Sequence, residues 1–112
     1  MSQHKGTSTF IVQRATAVLI APLAIWFLFN VVSHLGASHS DAYQWVANPW
    51  NGVPLFLLIA IGAIHMRIGM GEIIADYIHS WTGTILNLLN WLAALALIGA
   101  SGWALFSISF AG

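Results

Sequence analysis

The stretch TAVLIAPLAIWFLFNVVSHL, residues 16–35, contains no Asp, Glu, Lys or Arg. Some 20 mostly apolar residues in a row are what a helix needs to cross a hydrocarbon core about 30 Å thick, at about 1.5 Å of rise per residue. That reading decides the fold class, because a chain with one span in lipid must be read throughout with lipid as a solvent. The rest of the composition agrees: of 112 residues, 59% are apolar and 5% charged. Soluble domains are about 25% charged, and a chain this short buries only roughly two thirds of its surface in its own core. The remaining apolar surface must face lipid or another polypeptide.

Outward from this segment, the charges act as punctuation. They fall at Lys5, Arg14, Asp41, Arg67, Glu72 and Asp76, with none from there to the end. Residues 36–54 read as a turn-rich outer connection with two prolines, and its Tyr43, Trp45 and Trp50 read as an interfacial aromatic belt. A second span is expected at residues 53–74 and a third at 85–110, separated by a short polar connection around Asp76, Tyr77, His79 and Ser80. The expected architecture is all-α: a three-helix transmembrane anchor forming one domain over residues 1–112. The first span is too long for the apolar core of a signal peptide and is expected to be retained. Pro22 is expected to bend it.

Lys5 and Arg14 flank the first span, whereas residues 36–54 carry no Lys or Arg. The positive-inside rule then puts the N-terminus in the cytoplasm and, after three spans, the C-terminus outside. Three basic against three acidic residues leave no positive patch for nucleic acid. The absence of cysteine excludes disulfides, thiolate-ligated clusters and covalent haem attachment, so a cofactor must be held through nitrogen or oxygen. Small residues recur at Ala17, Ala21 and Ala24, and again at Ala96, Gly99, Ala100, Gly102 and Ala104. They read equally well as a docking face for another helix or as residues common in any span.

The second span holds the chemistry. His65, Gly69, Glu72 and Asp76 share one helix face, since each residue advances about 100°. With Asp76 near the cytoplasmic interface, His65 lies roughly 16 Å deep, near the bilayer centre. An ionisable group there costs about 2.5–3.5 kcal/mol and faces protein, water or a cofactor. Two readings stay open: an imidazole ligand to haem iron, with Gly69 leaving room for a flat macrocycle, or a histidine hydrogen-bonded to a neighbouring helix. His34 sits roughly 27 Å from the cytoplasmic start of its own span, so the two histidines differ in depth. A second axial ligand would have to come from another polypeptide. His34 and His39 read as solvated outer residues, and His4 carries no signal.

Asp76 and Tyr77 offer a carboxylate beside a phenol, able to bind a quinone carbonyl and relay a proton, or equally to be an ordinary helix end at an interface. His79 and Trp81 read as belt residues. Arg67 points about 200° away from His65 and wants a buried anion or a partner subunit, and Glu72 is badly spaced to supply one. Arg14, at the inner mouth of the first span, reads as a topology anchor or as a contact to an anionic group such as a haem propionate.

Two motifs carry a family resemblance. Phe10-Ile11-Val12-Gln13-Arg14-Ala15-Thr16-Ala17 and His65-x-x-Ile68-Gly69-Met70-x-x-Ile73-x-x-Asp76-Tyr77 resemble the family of hydrophobic membrane anchors of succinate dehydrogenase, in particular the smaller of its two haem b-binding anchors, and the three-span layout agrees across nearly the whole chain. The resemblance implies a larger helical bundle shared with a second haem-binding anchor subunit, which would give the other axial histidine to the haem b iron held by His65. It implies that Tyr77 hydrogen-bonds ubiquinone, that Asp76 supports that site, and that Arg14 lies near the haem propionates or the quinone pocket. It also implies an iron–sulfur subunit and a flavoprotein subunit that carry out the succinate chemistry, so that this chain is a non-catalytic anchor. A bacterial inner membrane is the expected location, since the sequence starts without an Arg- and Ser-rich transit peptide. The rival readings are a cofactor-free assembly subunit and the anchor of a fumarate reductase.

Overall fold

The computed structural model describes the backbone of residues 2–111 and the side chains of residues 7–110. His4 and Lys5 lie outside the described side chains. Among the described residues four α-helices follow one another: α1 (Ser2–Ser33), α2 (His39–Ala47), α3 (Pro49–Tyr77) and α4 (Trp81–Phe106), the last continuing into a π-helical turn, Ser107–Ala111. Three segments of these are long and apolar enough to cross a membrane, Thr7–Ser33, Pro49–Tyr77 and Trp81–Phe110. The all-α, three-span expectation therefore holds.

The outer connection is where the structure departs from expectation. It is helical rather than a loop, because two capping signals outweigh its turn-rich composition. Ser38 Oγ accepts the Asp41 N–H at 3.1 Å, with the Asp41 carboxylate in the first turn of α2. Asn48 Oδ1 accepts the Trp50 N–H at 3.0 Å, and Pro49 occupies the first position of α3, where its missing N–H costs nothing. Between α1 and α2, Gly36 takes the left-handed conformation (φ +82°) that most side chains avoid. At this end Trp45 stacks on Trp26, with centroids 5.6 Å apart, and its Nε1 donates to Asn30 Oδ1 at 3.1 Å.

α3 is the central element, packed along both α1 and α4, which barely touch each other. The core is correspondingly thin: Ala63, Ile68, Ile74 and Ala94 are its buried apolar residues, and large side chains such as Val18, Phe29, Leu88 and Leu95 stay exposed along the helices. Exposed apolar flanks of this extent suit lipid or neighbouring subunits. Asn90 is buried between α3 and α4 and donates to the Arg67 carbonyl at 2.8 Å, a polar tie of the kind that joins helices where lipid offers no hydrophobic drive. Of the small residues on α4, Gly102 is spent inside the chain, since a Cβ there would lie 3.1 Å from Phe56. Ala96, Gly99, Ala100 and Ala104 are exposed.

The tightest crossing lies at the outer end, where a Cβ on Gly52 would sit 2.6 Å from Ser109 Oγ and 2.9 Å from the Val46 carbonyl oxygen. Ser109 Oγ itself donates to that carbonyl at 3.0 Å, so α2, α3 and the π-helical turn are tied at one point. Gly52→Val is expected to cost about 1–3 kcal/mol by overpacking and to lower the thermal unfolding midpoint in detergent. Gly62→Ala, where a Cβ meets nothing within 4 Å, is expected to leave the midpoint level or slightly higher, since alanine is the better helix former.

Candidate functional site

Membrane depth follows from α3. Trp50 is 86% exposed near its N-terminal end and Tyr77 80% exposed at its C-terminal end. The two are 27 residues apart, or about 40 Å along a helix, which matches a bilayer with its headgroup regions. The midpoint falls between residues 63 and 64, so His65 lies within about 3 Å of the bilayer centre.

The half-buried His65 ring faces α1. Its Nδ1 lies 2.9 Å from Thr16 Oγ1, and Thr16 Oγ1 in turn donates to the Gln13 carbonyl at 3.0 Å. One turn along α3, a Cβ on Gly69 would lie 3.3 Å from the Gln13 side-chain nitrogen. Thr16 and Gln13 of α1 and His65 and Gly69 of α3 thus form one cradle. Thr16 is buried, at 8% relative exposure. A threonine hydroxyl has one proton, and its bond to the Gln13 carbonyl is a common use of a threonine inside a helix. With the proton there, Oγ1 accepts from an Nδ1–H, and in that tautomer Nε2 keeps its lone pair. Among the described residues Nε2 has no hydrogen-bond partner, and it is not sealed inside the chain. The histidine is thus bonded to a neighbouring helix, as one of the two readings of the sequence expects, and this bond leaves the second nitrogen free for the other.

A haem iron ligated here fits the residues present. It needs one imidazole nitrogen from this chain, and Nε2 is the one left without a partner, whereas the space beside Gly69 is taken by the Gln13 side chain, whose nitrogen lies 3.3 Å from where a Cβ would stand. Gln13 Oε1 is also buried without a partner among the described residues, an acceptor left open beside the same cradle. No group of three or more His, Cys, Asp or Glu gathers around a possible ion among the described residues.

The other expected site residues stand apart from the cradle. The antiparallel pairing of Thr16 with His65 and of Gln13 with Gly69 sets the register of α1 on α3. Arg14 is consequently within about 5 Å of the depth of His65, well inside the bilayer instead of at its inner mouth. A first charge looks like a span boundary in sequence, whereas the helix runs through it. Arg14 is exposed, its guanidinium 5.2 Å from the Phe10 ring centroid, and it projects about 160° away from Thr16 around α1. Arg14 falls within the candidate span Thr7–Ser33, where a charge calls for an anionic partner. Asp76 and Tyr77 are exposed at the end of α3, about 16–18 Å along the helix from His65. Arg67, about 5 Å from the bilayer centre, lies on Trp91 of α4 with its guanidinium 4.0 Å from the ring centroid, a contact worth about 2 kcal/mol when dry. Arg67, Glu72, Thr9, Asn87 and Trp91 line a cleft of 610 Å³ between α1 and α4. His34 is exposed at the outer end, its Nδ1 2.7 Å from the Asn30 carbonyl oxygen, and His39 is exposed at the start of α2.

Sequence reasoning missed Thr16. The signal that could have found it was its place beside Arg14, one hydroxyl in an apolar span that must lie near a histidine in need of a hydrogen-bond partner.

The fold and the cradle define a class: a multi-pass helical membrane subunit that carries one bare imidazole nitrogen at the bilayer centre. Within that class, this chain belongs to the succinate dehydrogenase/fumarate reductase transmembrane subunit family, whose model matches residues 1–111. It is similar to the succinate dehydrogenase hydrophobic membrane anchor subunit of Rickettsia felis, at 24% identity over 94% of this chain and 88% of that one. It is also similar to the succinate dehydrogenase membrane anchor subunit of Reclinomonas americana, at 31% identity over 66% of this chain and 64% of that one. No solved structure matches the chain. Membership makes it a transmembrane subunit of a succinate dehydrogenase or fumarate reductase complex.

Proposed function

We propose that this chain provides one axial ligand to a haem b and part of a ubiquinone site, within an anchor built jointly with a second haem-binding anchor subunit. The observation that carries this reading is the mid-membrane His65, bonded through Nδ1 to Thr16 with Nε2 left bare. When bound, the haem supplies a one-electron redox centre within the membrane. His65 contributes a nitrogen lone pair, and Gly69 lets the Gln13 side chain of α1 pack one turn away from the ring. The partner anchor gives the second histidine, because His34 and His39 lie beyond one end of the spans and His79 just past the other, 14 residues from His65.

At the inner end Tyr77 donates its phenol hydrogen to a carbonyl oxygen of ubiquinone, and Asp76 orients that phenol and passes a proton. Tyr77 is 80% exposed on this chain, so other subunits complete the pocket. Arg14 neutralises an anionic group held against the outer side of α1, a haem propionate or a group of the quinone pocket. Succinate oxidation belongs to a flavoprotein and an iron–sulfur protein that dock on the cytoplasmic side, and this chain acts as a non-catalytic anchor. The setting is a bacterial inner membrane with the N-terminus cytoplasmic and the C-terminus periplasmic. Lys5 precedes the first span and residues 34–48 between the first two spans carry no Lys or Arg, an asymmetry in the sense of the positive-inside rule. The names of the relatives favour flux from succinate to quinone over that of a fumarate reductase.

Purification of the assembled complex in mild detergent tests the proposal. A flavoprotein, a ferredoxin-like protein and a second three-span protein are expected to co-purify with haem absorbance. An intact complex without that absorbance refutes the haem assignment.

A further inference from the structure

We propose that Thr16 is a positioning residue for the iron-binding nitrogen of His65, fixing both the tautomer and the orientation of the imidazole. The inference rests on the reading of His65 as an axial ligand and extends it to a residue on a different helix. The two hydrogen bonds have a fixed order. Thr16 Oγ1 gives its proton to the Gln13 carbonyl at 3.0 Å and takes the Nδ1–H of His65 at 2.9 Å.

The opposite tautomer would turn the hydroxyl proton away from the Gln13 carbonyl to Nδ1 and place a proton on Nε2, where iron must bind. The hydroxyl's bond to its own helix thus favours the one neutral form able to ligate. No water substitutes for it, since Thr16 is buried and lies at the centre of the bilayer. The β-branched side chain is stiff about χ1, and the bond to Gln13 holds its oxygen in place. A ligating histidine whose second nitrogen donates to a fixed acceptor is also the more basic ligand, which favours the oxidised metal.

The test uses the assembled complex and Thr16→Val, which keeps the branched shape and removes the acceptor. Apparent haem affinity is expected to fall about 10–100-fold, as for other residues that hold a metal ligand in place, and the haem midpoint potential to rise. Thr16→Ser is expected to restore both, because it returns the hydroxyl without the methyl group. Wild-type affinity and potential in Thr16→Val overturn the inference. So does equal loss in the Val and Ser variants, which assigns Thr16 to packing alone. His65→Leu separates this from the underlying reading: haem lost in His65→Leu with Thr16→Val unaltered defeats only the role of Thr16, whereas haem retained in His65→Leu with its spectrum unchanged in intensity and position defeats the ligand assignment itself.

Discussion

His65→Leu is expected to reduce the haem absorbance of the purified complex to below about a tenth of its normal value, a bound set by the 10–100-fold cost of disturbing only the residue behind a metal ligand. Leucine is apolar and favoured at the centre of a span, so the variant inserts at least as readily as the parent. It leaves α3 intact, because leucine is also a better helix former than histidine. What it removes is the Nε2 lone pair and the Nδ1–H. The Thr16 hydroxyl keeps its bond to the Gln13 carbonyl and loses only a donor to its lone pair. The effect is therefore local, and the complex is expected to retain all its polypeptides on a gel. Reduced-minus-oxidised spectra normalised to protein decide the matter. A band of unchanged intensity and position removes His65 as a ligand, and a band of unchanged intensity but altered position shows that another group has taken its place.

Hydropathy made the three spans and the all-α class legible, because a chain with six charges in 112 residues leaves few ways to satisfy its backbone in lipid other than helices. The depth of His65 was legible for the same reason. Other features were written in short-range signals that composition obscured. Ser38 with Asp41, and Asn48 with Pro49, are helix starts, but the glycine, prolines and asparagines around them resemble a loop when read by content. Arg14 was misplaced because a charge is an efficient boundary marker only when it sits in water. Its true depth depends on how α1 slides along α3, and hydropathy contains no information about the register between helices. The contact of Arg67 with Trp91 depends in the same way on the pairing of α3 with α4. Thr16 is the clearest example: one hydroxyl in an apolar run looks incidental until the facing helix brings an imidazole to 2.9 Å.

Tyr77→Phe is expected to slow quinone reduction by the complex about 10–100-fold, while succinate oxidation measured with an artificial dye continues at the normal rate. The substitution deletes one O–H and leaves the ring. Tyr77 is the last residue of α3 and is 80% exposed on this chain, so its hydroxyl supports no packing within the chain, and the fold has no reason to change. A quinone carbonyl gains negative charge as it accepts electrons, and a hydrogen bond to a charged group contributes about 1.5–3 kcal/mol, the origin of the expected range at about 1.36 kcal/mol per tenfold. The donor matters most in the reduced and partly reduced forms, so the loss is expected in kcat more than in KM. The artificial dye takes electrons upstream of this site, and its rate therefore reports on the flavin and iron–sulfur subunits alone. Equal loss of both activities traces the defect to assembly and removes Tyr77 from the quinone site, as does full quinone reduction in the variant. Asp76→Asn provides a finer comparison: if the carboxylate passes a proton, its loss slows the same step with the phenol still present, and the two substitutions together cost less than the product of their separate effects because both act on one proton-transfer step.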